Sequence, residues 1–168
     1  YWLENLKNIG VTKILINTHY LSKMVETFIQ KSNYTELVKI VHEKQLLGTA
    51  GTLLSNLDFF ENKDGILIHA DNIWDENIEN LMNCYKKRPD SSVLTMLSFR
   101  TLSPQSCGII KVNKKGTIIS YEEKPLNSNS NLANGAVFII SPEFQNEIRL
   151  MKVSGDDFCK DIIPSKSS

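Results

Sequence analysis

The sequence lacks an excess of charge of either sign. Its 168 residues carry 19 Lys and Arg against 19 Asp and Glu, so the formal net charge at pH 7 is zero. A protein that holds nucleic acid by bulk electrostatics needs a basic surplus, so the balance argues against that class of protein. A local positive site for a small phosphate is still compatible with it.

Long apolar runs and cysteine clusters are also missing. No stretch of about 18 apolar residues occurs, so we expect no segment that spans a membrane and no membrane among the partners. The three cysteines, Cys84, Cys107 and Cys159, lie far apart and form no CxxC pair. They indicate reduced thiols in a cytoplasmic protein, not a disulfide framework or a zinc site.

Both ends of the sequence are unusual. Tyr1–Leu6 already has the pattern of the middle of an amphipathic helix, and no initiator Met precedes it. Ser165–Ser168 is a polar stretch that we expect to be flexible. The length predicts one domain, residues 1–164, and we expect this domain to be a fragment of a longer protein.

Helix and strand patterns alternate over the first hundred residues. Apolar spacing predicts, in order, helix 2–9, strand 11–16, helix 21–29, strand 37–41, strand 66–68, helix 78–85 and strand 93–99. The alternation predicts an α/β fold with a mixed, mostly parallel sheet and helices on both faces. The short apolar run Ile66–Ile68 is of the kind found in parallel sheets.

The pattern changes after residue 100. It predicts a β-hairpin, a further strand and a short terminal helix, at 109–121, 136–140 and 156–163. Between the last two, Ser141 and Pro142 suit the N-cap and the first position of a helix.

Asp71 lies just past the predicted strand Ile66–Ile68, after His69 and Ala70. A carboxylate at that point lies at the carboxyl edge of the sheet, where α/β folds bind ligands. Its oxygens suit Mg²⁺, which usually takes one or two protein carboxylates together with phosphate oxygens and water. Alternatively, Asp71 caps the following turn with the help of Asn72.

Three further segments can contact a ligand. Two glycines in Leu47–Thr52 permit close approach of a ligand to backbone N–H groups, although a tight turn before a helix explains them as well. Glu122–Pro125 offers an acceptor for hydroxyls and a cation for a phosphate, or is a solvated charged turn. Asn134 in Leu132–Ala136 can bind sugar hydroxyls, or belongs to a plain Asn-Gly turn.

The order of these segments resembles one family, the sugar-1-phosphate nucleotidylyltransferases. The motifs in series are Leu47–Gly51, Ala70–Asn72, Cys107–Ile110, Glu122–Pro125 and Ala133–Ala136. The resemblance covers nearly the whole chain, and the Leu-Gly-Thr-Ala-Gly form leans toward mannose-1-phosphate guanylyltransferases. It implies a Rossmann-like (GT-A-like) fold with a small β-hairpin part that binds the sugar.

The resemblance also implies residue roles. Asp71 would bind Mg²⁺ and contact the ribose, and Lys124 would contact the sugar phosphate, so both are expected to be catalytic. The implied nucleotide-binding residues are Glu43, Gly48, Thr49 and Asp71, and the implied sugar-binding residues are Gly108, Glu123, Lys124 and Asn134. Many relatives read Asn-Ala-Gly where this chain reads Asn134-Gly135-Ala136, which leaves the role of Asn134 open.

The implied reaction is attack by the sugar 1-phosphate on the α-phosphate of an NTP, which releases pyrophosphate and forms a nucleotide-sugar for polysaccharide or glycan synthesis. GTP is favoured, dTTP and UTP also fit, and a homo-oligomer is compatible. A glycine-rich loop with an Arg is expected before Tyr1, and a second metal-binding Asp beyond Pro164. We therefore expect this piece alone to have little or no activity and to leave a sheet edge unpaired.

Two other hypotheses compete with the enzyme. One is a non-catalytic sugar-nucleotide-binding or regulatory domain of the same fold. The other is an ordinary doubly wound scaffold whose motifs match by chance, which predicts no shift in melting temperature with any NTP and Mg²⁺.

Overall fold

Helices and strands alternate along the chain in a computed structural model that describes residues 1–74, 77–151 and 157–163. The helices are α1 (Trp2–Asn8), α2 (Ser22–Gln30), α3 (Gly48–Ser55), α4 (Ile78–Lys86), α5 (Pro142–Leu150), two 3₁₀ turns (Leu57–Phe60 and Pro104–Ser106) and a π-helix (Phe158–Ile162). The strands are β1 (Ile14–Thr18), β2 (Val38–His42), β3 (Gly65–Ile68), β4 (Leu94–Arg100), β5 (Gly108–Val112), β6 (Ile118–Glu123) and β7 (Leu132–Ile140).

The chain divides into two compact units, residues 1–47 and 48–168. In the first unit, β1 and β2 pair in parallel, from Ile14 opposite Val38 to Thr18 opposite His42. Parallel neighbours need a crossover connection, and α2 supplies it between these two strands. The prediction of one domain over residues 1–164 stays a prediction.

The second unit contains a five-stranded sheet built around β7. Strands β3, β4 and β5 all pair with β7, and β6 extends the sheet beyond β5. All four of these pairings are antiparallel. The hairpin predicted at 109–121 is β5–β6, so that prediction is confirmed.

The α/β class with a parallel strand pair and helices is confirmed, but the share of antiparallel pairing is larger than expected. The run Ile66–Ile68 pairs antiparallel with β7, with Ile68 opposite Val137. An apolar run indicates that both faces of a strand are shielded, and it does not set the direction of the neighbouring strand. Among the described strands β3 pairs with β7 alone.

The core of the second unit lies on the carboxyl half of β7. Phe138 and Ile140 pack there with residues of α3, α5 and the π-helix, all of them buried: Ala50, Leu53, Phe144, Ile148, Phe158 and Ile162. Ser141 caps α5 by accepting a hydrogen bond from the Phe144 N–H, and Pro142 begins the helix, as predicted. No helix in the described ranges is long and apolar enough to cross a membrane.

The outermost residues of two predicted segments have no described structure. Asp156, where the terminal helix was predicted to begin, and the tail Ser165–Ser168 lie outside the described residues. The rest of the terminal segment forms the π-helix, which Asp157 caps by accepting hydrogen bonds from the Cys159 and Lys160 N–H groups.

Candidate functional site

One edge of β7 changes partner partway along its length. Strand β4 runs along one edge of β7 from Leu132 to Ile140. On the opposite edge β5 pairs with Leu132 and Ala133, and β3 pairs with the segment Val137–Ile140. Since β3 and β5 are both antiparallel to β7, the carboxyl end of β3 meets the amino end of β5 beside residues 134–136. We call this place the β7 junction.

The backbone of β7 is irregular at the junction. Ala136 has a φ of 55°, in the left-handed region, and the register with β4 shifts between Met96 and Ser98. The Asn134 side-chain oxygen accepts a hydrogen bond from the Ala136 N–H at 2.8 Å. Asn134 therefore lies inside a strand and shapes a bulge, so the alternative of a plain Asn-Gly turn is wrong.

Asp71 follows the end of β3, next to the junction. The His69 N–H donates to the Ala136 carbonyl at 3.1 Å, and the Asn72 N–H then closes a turn on the His69 carbonyl at 3.1 Å. The side chain of Asp71 is exposed in that turn. Within the part of the chain that the structure describes, no group donates a hydrogen bond to its carboxylate. This geometry fits a ligand carboxylate better than a cap.

Gly108 and Glu123 lie opposite each other, where β5 begins and β6 ends. The Tyr121 hydroxyl donates to Glu123 Oε2 at 2.6 Å. A Cβ on Gly108 would collide with the Tyr121 hydroxyl and come within 2.8 Å of the same Oε2. Glycine at position 108 therefore makes room for the Tyr121–Glu123 pair.

Lys124 turns the chain away from β6. Its φ of 46° is left-handed, and its N–H donates to the Cys107 carbonyl at 3.0 Å. Such a conformation is unfavourable for a non-glycine residue, and Pro125 directly after it restricts the backbone further. The side chain is exposed, and no carboxylate among the described residues forms an ion pair with it. The Lys124 ammonium is therefore available to bind an anion.

The π-helix lies beneath the junction. The Asn134 amide donates to Cys159 Sγ at 3.2 Å and also interacts with the Tyr121 hydroxyl, so both its oxygen and its nitrogen have protein partners. Burial raises the pKa of the Cys159 thiol to about 11, so the sulfur stays neutral. Burial and the bond to Glu123 likewise raise the pKa of Tyr121 above its ordinary value.

The predicted nucleotide-binding residues divide between the two units. Glu43 belongs to the first unit, where it is buried and its carboxylate accepts from the Leu47 N–H at 3.2 Å. Gly48 begins α3 with a φ of 71°. The Thr49 hydroxyl accepts from the Phe158 N–H at 2.8 Å, which ties α3 to the π-helix.

The described residues contain no group of three His, Cys, Asp or Glu side chains that could hold a metal ion. Of the two carboxylates at the junction, Glu123 accepts a hydrogen bond from Tyr121 and Asp71 accepts none from a described group, so Asp71 is the candidate ligand. That donor set fits Mg²⁺ only as one protein ligand among phosphate oxygens and water, an arrangement that this ion commonly adopts. A structural calcium or zinc cage does not fit it.

The structure brings Asp71, Gly108, Glu123, Lys124 and Asn134 to the junction through the pairing of β3, β5, β6 and β7. Two polar side chains there were missed from the sequence. Tyr121 lies two residues before Glu123 on the same face of β6, so the two-residue period of a strand could have indicated it. No sequence signal indicated Cys159, which reaches Asn134 across 25 positions.

Comparison with known proteins shows the family and the fold of the chain. A family model described as nucleotidyl transferase matches residues 1–168. Glucose-1-phosphate adenylyltransferase from Clostridioides difficile (strain 630) is 24% identical over 183 residues, which cover 96% of this chain and 47% of that protein. Mannose-1-phosphate guanyltransferase beta-A from Xenopus laevis is 28% identical over 168 residues, which cover 97% of this chain and 45% of that protein. The chain spans about half the length of the curated relatives it matches.

Two solved structures share the fold. A protein described as a glucose-1-phosphate thymidylyltransferase from Bacillus anthracis, in complex with sucrose, superposes with a TM-score of 0.79 at 21% identity, covering 96% of this chain and 65% of that one. HddC from Yersinia pseudotuberculosis, complexed with GMP-PN, gives a TM-score of 0.75 at 19% identity, with coverages of 96% and 69%.

Proposed function

The chain belongs to the nucleotidyl transferase family, and on this basis we propose that the protein transfers a nucleotidyl group from an NTP to a sugar 1-phosphate, giving a nucleotide-sugar and pyrophosphate. The observation that carries the proposal is the β7 junction. There the carboxylate of Asp71 and the ammonium of Lys124, neither of them paired with a described residue, and the fixed carboxylate of Glu123 come from the ends of two strands, β3 and β6. Such a site can hold a phosphate and sugar hydroxyls at once.

Each group has a distinct task in this proposal. Glu123 accepts hydrogen bonds from sugar hydroxyls beside the open backbone of Gly108. Lys124 attracts the sugar phosphate, because its ammonium is exposed and free of any described carboxylate partner. Asn134 would contact the sugar from a position that its bond to the Ala136 N–H fixes in the bulge. Transfer then depends on alignment and charge neutralisation, without a covalent enzyme intermediate.

Asp71 is the residue that would hold Mg²⁺ and contact the ribose. When bound, the ion would neutralise charge on the phosphates of the nucleotide. Within the second unit, Gly48 and Thr49 would also contact the nucleotide. The Thr49 hydroxyl also accepts the Phe158 N–H, so Thr49 would hold the start of α3 against the π-helix as well. In the first unit, the Glu43 carboxylate accepts the Leu47 N–H and shapes the segment between them.

We propose GTP and mannose 1-phosphate as the first substrate pair, with dTTP and UTP as further nucleotides. The Leu47–Gly51 motif and the guanyltransferase from Xenopus laevis support this pair. ATP with glucose 1-phosphate is the second candidate, because several relatives are glucose-1-phosphate adenylyltransferases. The product would serve polysaccharide or glycan synthesis, in the cytoplasm, where free thiols are usual.

The first prediction concerns Asp71. Pyrophosphate release is measured with the full-length protein over a panel of NTPs and sugar 1-phosphates in Mg²⁺. Asp71→Asn keeps the shape of the side chain and removes its charge, so we expect kcat/KM to fall by about 100-fold. Asp90→Asn is the matched control, since Asp90 is also exposed in a turn, and it should stay within about two-fold.

Two results would count against the proposal in different ways. Full Mg²⁺-dependent activity in Asp71→Asn would show that Asp71 is not the metal ligand. No pyrophosphate from any pair with the unmodified protein, combined with tight binding of a nucleotide-sugar, would support the non-catalytic binding domain.

A further inference from the structure

Tyr121 occupies the space between two residues of the proposed sugar site. Its hydroxyl donates to Glu123 Oε2 at 2.6 Å and fills the space above Gly108 that a side chain would otherwise take. The three residues lie on paired strands, with Gly108 directly opposite Glu123. None of the five motifs that carry the family resemblance includes Tyr121, so the resemblance assigns it no role.

The hydrogen bond has a consequence for the carboxylate. A glutamate side chain at the end of a strand rotates about its last torsion, and both oxygens can then face a ligand in several ways. With Oε2 held by the phenol, Oε1 is the oxygen left to accept hydroxyls from a sugar, since no other described group donates to the Glu123 side chain. A fixed acceptor loses less entropy when it binds a ligand.

We propose that Tyr121 is a positioning residue, which orients the carboxylate of Glu123 and so sets how tightly the protein holds the sugar part of a nucleotide-sugar. The inference rests on the proposed function, because it takes Glu123 as the acceptor for sugar hydroxyls. It adds a residue to that site, and it predicts that the effect of Tyr121 is confined to the sugar and does not extend to the nucleotide.

The protonation of Tyr121 supports the proposal. Burial and the bond to Glu123 hold the pKa of the phenol above its ordinary value, so the hydroxyl remains a donor at any working pH. The neighbouring Cys159 thiol stays neutral for the same reason, burial. Tyr121 and Cys159 therefore add no charge beside Glu123, and Tyr121 stays the donor to its Oε2.

A purely structural role is the competing explanation, and the chain contains a matched control for it. The Tyr85 hydroxyl donates to Asp64 in the same kind of phenol–carboxylate bond, and burial is again the first cause of a raised tyrosine pKa. Asp64 precedes the amino end of β3, whereas the junction lies at its carboxyl end. Tyr85→Phe thus removes a comparable bond away from the site.

The test measures dissociation constants by calorimetry with the full-length protein, using GDP-mannose and ADP-glucose as probes and GDP and ADP as sugar-free references. A hydrogen bond to a charged group is worth roughly ten-fold or more in affinity. We therefore expect Tyr121→Phe to raise the dissociation constant of the nucleotide-sugar about ten-fold. The dissociation constant of the nucleoside diphosphate should rise less than about two-fold. Tyr85→Phe should change neither constant, and in a Glu123→Gln background Tyr121→Phe should add little.

The outcomes separate this inference from the proposed function. If Tyr121→Phe weakens binding of the nucleotide-sugar and of the nucleoside diphosphate equally, or weakens neither, Tyr121 is not a positioning residue for the sugar. If the unmodified protein binds a nucleotide-sugar but releases no pyrophosphate in turnover, the transferase proposal fails, while a sugar-specific loss in Tyr121→Phe still supports the role of Tyr121. If it binds no nucleotide-sugar at all, both proposals are wrong.

Discussion

The two halves of β7 differ more than their sequences suggest. Val137–Ile140 are at most 1% exposed and pair regularly with β3 on one side and β4 on the other. Residues 134–136, in the same strand, form a bulge with a left-handed alanine and a side-chain bond to their own backbone. The carboxyl half makes the core of the second unit, and the bulge makes the candidate site.

The difference shows how one strand can serve stability and binding. Apolar side chains in a regular strand pack on both faces and leave no polar group unsatisfied. A bulge interrupts the pairing, so partners on that edge can end there, and β3 and β5 do so. The polar side chains of the junction lie at or near the ends of these strands. The packed half of β7 holds the strands in place.

The largest effect is expected in the packed half. Phe138 is 1% exposed, and its ring meets Phe158 edge to face at 5.0 Å. Phe138→Ala leaves a cavity that the surrounding side chains cannot fill, so the free energy of unfolding should fall by about 3–5 kcal/mol. Urea denaturation measures it. The control is Phe99→Ala in β4, where the ring is 46% exposed, with an expected loss below about 1 kcal/mol.

Equal losses of the free energy of unfolding in Phe138→Ala and Phe99→Ala would contradict the contrast between the two halves of β7. They would mean that Phe138 is no more tightly packed than an exposed residue of the same sheet, and that the carboxyl half of β7 is not the core.

A smaller effect is expected at the bulge itself. A Cβ on Gly135 would lie 2.9 Å from Leu97 Cγ and 3.2 Å from the Leu97 carbonyl oxygen. Gly135→Ala therefore overpacks the site and should lower the free energy of unfolding by about 1–3 kcal/mol, measured in urea. In a Leu97→Ala background the same substitution should cost less, because the side-chain contacts disappear and the backbone contact alone remains.

Additive losses in the Gly135 and Leu97 variants would instead show that the glycine is needed for another reason. The bulge would then not owe its shape to the close approach of β4, and the comparison between the halves of β7 would need a different physical basis.

Much of the fold could be predicted because its signals are local. Apolar spacing predicted β1, α2, α4 and β4 to within a few residues, and the Ser141-Pro142 pair predicted the start of α5. The direction of β3 could not be predicted, since Ile66–Ile68 gives the same apolar run beside parallel and antiparallel neighbours. The start of β7 at Leu132 was missed because Asn134 and Gly135 are typical of turns.

The site was predictable only in part, and for a related reason. Asp71, Glu123 and Lys124 lie at or just after strand ends, where ligand-binding residues are common, so their sequence positions were informative. Their meeting point depends on β7 exchanging one partner strand for another, which is a non-local event. The bond from Asn134 to Cys159 joins residues 25 positions apart, and no local pattern contains it.

The smallest effect, and the one of opposite sign, concerns Ala136. Its φ of 55° costs an alanine about 1–2 kcal/mol, which a glycine would not incur. Ala136→Gly keeps the backbone bonds to Asn134 and His69. The greater freedom of glycine in the unfolded chain offsets part of the gain, about 0.4–1 kcal/mol. We therefore expect the free energy of unfolding to rise by about 0.5 kcal/mol in urea.

Ala133→Gly is the matched control for that substitution, in the same strand and three residues earlier. Ala133 is fully buried and lies in regular pairing with β4 and β5. The same chemical change there removes a packed methyl group and adds freedom to the unfolded chain, so the protein should lose about 1 kcal/mol or more. If the free energy of unfolding rises for Ala136→Gly and falls for Ala133→Gly, the backbone is strained at the bulge and unstrained in the strand beside it. A loss at both positions would mean that Ala136 sits in ordinary strand conformation, and the contrast within β7 would then reduce to a difference in burial.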